Sequence, residues 1–290
     1  MRLAIVSSGK GWQSEELKDA ALKRGWHVDF VSPRAFSISL PSFEFYSLES
    51  DLLGYDAYLV RSIPIGSLEQ IIFRLDVLYA LEMVGKPVIN PSFVIEKTVD
   101  KLYTSMLLSR EGILTPKTAV VERFSDAIRW YKLLGGDVVI KPIFGSNGLG
   151  IMRVDNEDLA HRIFRYLELG RYVFYLQEFI PHNDEDIRVF MARGEIVSAM
   201  IRKGSFWKTN IYQGAVPMAF DVPKEMERIC KRVFELFKAD YLGIDIVFSE
   251  KGEMYLLEVN GIPGWRGLQS VTEKRIADVI LDCVERRISS

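Results

Sequence analysis

Val138-Val139-Ile140-Lys141-Pro142-Ile143-Phe144-Gly145-Ser146-Asn147-Gly148-Leu149-Gly150-Ile151-Met152-Arg153-Val154 is the stretch whose reading decides the fold. Two β-rich runs flank a loop of three glycines, a serine and an asparagine, and a lysine ends the first run. Glycines let successive backbone N–H groups turn toward one point, which makes a concavity for an anion. The lysine adds a point charge of the kind that binds phosphate. Two commoner glycine motifs fit poorly. A P-loop runs Gly-Lys-Ser/Thr into a helix, and a dinucleotide fingerprint sets its glycines between a strand and a helix. Here Ile151–Val154 continues as a strand. The stretch is either a hairpin with a flexible tip or a cover over phosphate, and the residues around it must decide.

The chain has 290 residues, enough for two or three subdomains and a large core. A formal net charge of −2, with no long like-charge block, leaves no basic field for nucleic acid. Cys230 and Cys283 lie far apart without metal spacing and read as reduced core thiols of a cytoplasmic protein. No segment approaches the ~20 apolar residues that span a bilayer. The start, Met1-Arg2-Leu3-Ala4-Ile5-Val6, is too short and too soon interrupted for a signal peptide and reads as a buried first strand.

Working outward, residues 1–95 alternate strand and helix signals: strands at 3–7, 26–32, 57–61 and 88–89, helices at 14–24 and 68–83. That alternation predicts a parallel sheet covered by helices. The apolar, irregular segment 37–49 has no clear period. A helical region spans 92–111 and contains Asp100-Lys101. The second unit holds strands near 118–121 and 173–179, helices near 125–134 and 157–169, and the glycine-loop hairpin. Beyond residue 184 the chain is mostly strand, with helices at 224–237 and 272–286.

The strongest local signal pairs Gly243-Ile244-Asp245-Ile246-Val247-Phe248 with Tyr255-Leu256-Leu257-Glu258-Val259-Asn260. Residues two apart on a strand share a face, so Glu258 and Asn260 project together. A four-residue connection at 250–253 sets Asp245 opposite Glu258. Adjacent carboxylates repel unless a cation lies between them, and hard oxygen donors suit Mg²⁺. The alternative is a solvated face. The strand end Gln177-Glu178-Phe179-Ile180 offers backbone groups and an apolar cover to a purine, or is a sheet edge entering a turn. Asp186-Ile187-Arg188 puts an acid and a base on one strand face, where a salt bridge is the usual meaning. Arg202-Lys203 and Lys208-Thr209-Asn210 lie between these two candidate sites and suit an anionic ligand or a solvated loop. Arg61 closes an apolar strand, where ligands of open α/β sheets sit.

In this order the pieces resemble the ATP-grasp superfamily, and within it the RimK-type α-L-glutamate ligases. The resemblance implies an α/β (α+β) fold with the nucleotide held between two α+β subdomains. Its units are an N-terminal parallel α/β domain at 1–95, a central subdomain with the glycine-rich lid at 96–182 and a C-terminal subdomain at 183–290. It implies that Lys101 and Lys141 bind ATP phosphates and that Gly145, Ser146, Asn147 and Gly148 belong to a mobile lid. Gln177, Glu178, Phe179 and Ile180 would hold adenine, with Asp186 near the ribose. Asp245, Glu258 and Asn260 would coordinate two Mg²⁺ (or Mn²⁺) ions. Arg188, Arg202 and Asn210 would steady the transferred phosphate. Lys208, also assigned to ATP, stands where the family often has arginine.

The implied reaction activates a carboxylate as an acyl phosphate, with ADP released, and L-glutamate then displaces phosphate. No general base stands out, and His27, His161 and His182 read as surface or core residues. The run Gly264-Trp265-Arg266-Gly267 looks most like the archaeal branch that adds glutamate to tetrahydromethanopterin, making tetrahydrosarcinapterin. Trp265 would stack on a flat substrate or cap the core; Arg266 would bind a carboxylate, and Arg61 would meet the substrate or be an ordinary strand-end charge. The deazaflavin coenzyme, a protein C-terminal tail and an amino-group carrier protein of lysine biosynthesis are the alternative acceptors, and a non-catalytic ATP-binding scaffold is the alternative class. A homo-oligomer, dimer or tetramer, is expected, and without nucleotide 146–149 should be disordered.

Overall fold

The computed structural model describes residues 1–145, 150–209 and 214–289. The N-terminal unit begins β1 (Arg2–Val6), α1 (Trp12–Lys23), β2 (His27–Val31). The segment without a clear period is a small antiparallel meander, β3 (Phe36–Ser39), β4 (Glu44–Ser47) and β5 (Ser50–Asp51). Then come β6 (Ala57–Val60), α2 (Leu68–Met83) and β7 (Val88–Ile89). The main sheet runs β2-β1-β6-β7 with every pair parallel. Leu3, Ala4, Ile5 and Val6 are all fully buried, as strands covered on both faces must be. Helix α2 starts on a capping box in which Ser67 and Gln70 satisfy each other's backbone N–H groups.

The predicted helix over 92–111 is two helices, α3 (Ser92–Val99) and α4 (Lys101–Arg110). Asp100 breaks them because its backbone is extended and its side chain accepts from the Tyr103 N–H, capping α4. The central unit follows as β8 (Thr118–Val121), α5 (Phe124–Leu133), β9 (Val138–Lys141), β10 (Met152–Val154), α6 (Glu157–Leu169) and β11 (Phe174–Glu178). Its antiparallel sheet has the order β10-β9-β11-β8, and α5 and α6 pack on one face around Phe164 and Phe174.

The C-terminal unit contains β12 (Glu185–Ala192), β13 (Glu195–Lys203), β14 (Val216–Ala219), α7 (Lys224–Phe237), β15 (Tyr241–Phe248) and β16 (Met254–Asn260). A short α8 (Arg266–Gln269) and α9 (Ile276–Ser289) end the chain. The sheet order is β14-β13-β12-β15-β16, antiparallel throughout. Amphipathic α7 buries Met226, Cys230, Val233 and Phe237 on the back of this sheet. Both cysteines are buried and free, and burial pushes each thiol up to about 12. No helix among the described residues is long and apolar enough to cross a membrane.

Two polar struts tie the N-terminal unit to this sheet. Asn90, fully buried, donates to the carbonyls of Tyr241 (2.8 Å) and Gly261 (2.7 Å) and accepts from the Asp240 N–H (2.6 Å). Thr98 of α3 accepts from the Gly261 N–H at 3.1 Å, and a Cβ at Gly261 would lie 2.6 Å from the Thr98 hydroxyl. Only glycine allows that approach. Replacing Asn90 by alanine strands several buried backbone groups, so Asn90→Ala should lower the unfolding free energy by roughly 1–3 kcal/mol in urea titrations. An unchanged midpoint would show that the strut carries no load.

Candidate active site

The carboxylates are placed by strand register. Asp245 of β15 stands opposite Glu258 of β16, but not through the expected four-residue connection. The strands pair as far as Phe248 with Met254, leaving five residues, 249–253, to connect them. The register then shifts between Asp245 and Ile246, so Leu257 is the extra residue of a β-bulge. Bulges re-aim side chains near functional sites. Here Leu257 and Glu258, which strict alternation would send to opposite faces, both line one cleft.

Across the neighbouring strands runs a ladder of charges. Arg188 of β12 pairs in register with Asp245 and holds it with two hydrogen bonds, 2.7 and 2.5 Å. Arg202 of β13 faces Asp186 of β12 and grips it the same way, through Nε at 2.7 Å and through Nη2. Arg202 also reaches Asp245 at 3.1 Å. Asp186 and Arg188 thus pair with other strands and not with each other. Burial alone would raise the Asp245 carboxyl, but Arg188 and Arg202 outweigh it and hold the group well below the usual carboxylate range. Burial lowers Arg202, and the two aspartates more than reverse this.

The opposite wall comes from the central sheet. Lys141, the last residue of β9, donates to Gln177 Oε1 at 2.6 Å, and Gln177 donates to Thr118 at 3.0 Å. Burial, with Lys101 adding to it, lowers the Lys141 ammonium to about 8 against the pull of Glu258 and Asp245. Burial also lowers Lys101, opposed first by Glu258. Lys101, at the start of α4, donates to the Gly145 carbonyl at 2.8 Å and so clasps the base of the glycine loop. Glu178 turns its carboxylate outward to the Lys117 N–H (2.8 Å), leaving its backbone with Phe179 and Ile180 on the cleft.

Between the walls is a cavity of about 110 Å³ lined by both sheets. Lys141, Gln177, Glu178, Phe179, Ile180, Asp186, Arg202, Lys208, Asp245 and Glu258, all expected from sequence, meet there. Ser146, Asn147, Gly148 and Asn210 lie outside the described residues, as does the expected disorder of 146–149. Among the lining residues not expected in the site are Trp207, Thr209 and His182. Trp207 stands edge-on to Phe179 at 6.1 Å, and Lys208 lies 5.2 Å over its ring. His182, read as surface or core, is half-buried in the cleft, and burial lowers its imidazole. Its place five residues after Gln177 was the available signal.

One expectation is corrected. Trp265 is fully buried, with Arg61 4.5 Å over its ring and Trp12 at 6.4 Å, so it has no free face for a flat substrate. Arg61 is itself only 8% exposed and donates to the Pro263 carbonyl at 3.2 Å. Of that group Arg266 alone is exposed. Among the described residues no three His, Cys, Asp or Glu side chains cluster for a metal. The expected set needs only two carboxylates and an amide. Glu258 makes no hydrogen bond or ion pair among the described residues, while Asn260 Oδ1 accepts from the Ile262 N–H at 2.9 Å. Such hard, partly free oxygen donors fit Mg²⁺.

Two antiparallel sheets closing on a lysine-bearing cleft is how ATP-grasp ligases hold their nucleotide, and the chain is an ATP-dependent, ADP-forming carbon–nitrogen ligase of that class. The RimK-like ATP-grasp domain matches residues 98–284, and the chain belongs to that family. It is 32% identical to tetrahydromethanopterin:alpha-L-glutamate ligase of Methanococcus maripaludis over 97% of both chains. The protein of the same name from Methanocaldococcus jannaschii is 37% identical over 75% of this chain and 76% of its own. Alpha-aminoadipate--LysW ligase LysX of Saccharolobus solfataricus is 28% identical over 93% and 96%. Among solved structures, the RimK domain protein ATP-grasp of Sphaerobacter thermophilus aligns with TM-score 0.75 at 18% identity over 98% of this chain and all of its own. ATP-grasp ligase PsnB, complexed with minimal precursor, Mg and ADP, gives 0.73 at 17% over 99% and 98%. ATP and Mg²⁺ are accordingly the nucleotide and metal of this fold.

With its ammonium lowered to about 8, Lys141 should make nucleotide binding pH-dependent. Below pH 8 the group is protonated and attracts phosphate; as pH rises through 8 that charge is lost. ATP-analogue affinity should fall about tenfold between pH 7 and 9.5. Lys141→Arg, which stays charged, should flatten the profile in calorimetry, and an identical fall in both proteins would show that Lys141 is not the titrating group.

Proposed function

We propose that this ligase adds L-glutamate to a small carboxylate-bearing acceptor and that the acceptor is tetrahydromethanopterin, giving tetrahydrosarcinapterin. The observation that carries the reading is similarity to ligases of that name over 97% and 75% of this chain, supported by a cleft in which Lys141, Asp186, Arg202, Asp245 and Glu258 converge. In the first step an acceptor carboxylate oxygen attacks the γ-phosphorus of ATP, and the bond to ADP breaks. The glutamate amine then attacks the acyl carbon, phosphate leaves, and the amine gives up a proton.

Lys141 and Lys101 supply positive charge beside the phosphates, while Arg188 and Arg202 face the transferred group from the other sheet. Asp245, Glu258 and Asn260 would hold two Mg²⁺ ions, which neutralise phosphate charge when bound. Gln177 keeps the Lys141 ammonium aimed. Phe179, Ile180 and Trp207 give the adenine apolar cover. Similarity to LysX supports a second reading, an amino-group carrier protein as acceptor.

An ADP-release assay with glutamate decides between them. It should respond to tetrahydromethanopterin and need both substrates, with the product heavier by one or more glutamyl residues. Release only with the deazaflavin coenzyme, a protein tail or the carrier protein would reassign the acceptor. Lys141→Ala and Asp245→Asn should each lower kcat/KM by about 10²–10³-fold. Full turnover in a folded variant of either would remove the residue from the mechanism.

A further inference from the structure

At the end of the C-terminal sheet where the β12–β13 turn meets α7 and α9, away from the nucleotide cleft, lies a larger cavity of about 500 Å³, within the size range of small-molecule sites. It shares no lining residue with the nucleotide cleft. Arg193 in the β12–β13 turn, Lys238 at the end of α7, and Arg286 and Arg287 on α9 line it. The carboxylates on its walls are Glu235 and Asp240, and Asp240 already accepts from Arg287 at 2.8 Å. Four cations in one concavity contrast with a chain whose net charge is −2.

Backbone conformation marks two of those cations. Arg193 has φ +54° and Lys238 φ +52°, both left-handed. These are the first position of a two-residue hairpin turn and the residue closing a helix, where glycine or asparagine is the unstrained choice. Strain retained at two positions on one cavity points to a requirement for the side chains. Arg193 meets Asp282 only at 3.7 Å and is 47% exposed, and Lys238 forms no ion pair among the described residues. Both keep donors available to a ligand.

We propose that this cavity is a second anion site, taking a small molecule with two or more phosphate or carboxylate groups. Several cations converging within one pocket suit a multiply charged ligand, and a formal net charge of −2 argues against nucleic acid. Occupancy would bear on the catalytic ladder. Arg193 directly follows β12, which carries Arg188, and Asp240 directly precedes β15, which carries Asp245. The Arg193 N–H donates to the Asp240 carbonyl at 3.0 Å, joining the two strand ends.

Calorimetry on the full chain in magnesium-free buffer, with tripolyphosphate and separately with citrate, tests this. At least one probe should show a binding event that persists in Lys141→Ala and weakens with added salt; preference for the first assigns phosphoryl groups, for the second carboxylates, and either supports the site. Arg193→Ala/Lys238→Gly should weaken that binding at least tenfold, while Lys141→Ala should leave it unchanged. Lys238→Gly alone should raise the melting temperature yet lower probe affinity, a split that a purely structural lysine would not show. No binding of either probe, unaltered binding to the double variant, or loss confined to Lys141→Ala would overturn the proposal.

Discussion

Four charges, Arg202, Asp186 and Asp245 buried and Arg188 half-buried, set the terms for the rest of the catalytic unit. Taking a carboxylate or guanidinium out of water costs several kcal/mol per ion, and only close, geometrically matched partners return it. Strand register supplies that match, because Asp186 lies opposite Arg202 and Arg188 opposite Asp245. A slip of one residue would turn the whole set into the apolar layer under α7. The ladder therefore fixes register as well as charge. It also keeps Arg202 and Asp245 ionised in readiness for a ligand that brings its own charges. Arginine's planar fork is suited to this, since the geometry that grips a carboxylate also grips a phosphoryl group.

Much of this was legible in the sequence because the informative residues interrupt strong patterns. Asp245 and Glu258 stand out inside apolar runs, and Lys141 ends an apolar strand before a glycine loop. The register that joins the two acids was reached by a different path, since a bulge at Leu257 compensates for a longer connection. Bulges leave little trace in a pattern of alternating residues. Trp207 was passed over among basic neighbours because an aromatic in a loop has no period to read. Motif likeness left Trp265 between stacking on a substrate and capping the core, because its burial depends on α1 and Arg61, more than two hundred residues away. The 36–51 meander escaped because its strands are two to four residues long and too short to establish alternation. The helix break at Asp100 was readable in principle, as aspartate is a strong N-cap.

The glycine loop with which the sequence reading began is held from below by a route that no single motif reveals. Lys101 grips the Gly145 carbonyl, and Asp100 caps the helix on which Lys101 sits. The preceding helix touches the end of β16 through Thr98 and Gly261, one residue beyond Asn260. The base of the glycine loop and the carboxylate hairpin are thus joined through two short helices and a close contact between Thr98 and Gly261. Lys101 and Lys141 lose part of their preference for charge on burial, and Glu258 returns part of it from across the cleft. Neither wall is electrostatically complete alone. A nucleotide carrying negative phosphates would strengthen the charge of both lysines, and Glu258, free of hydrogen bonds and ion pairs among the described residues, would remain open to a cation. Closing the two sheets on ATP and assembling a metal site then become one electrostatic event.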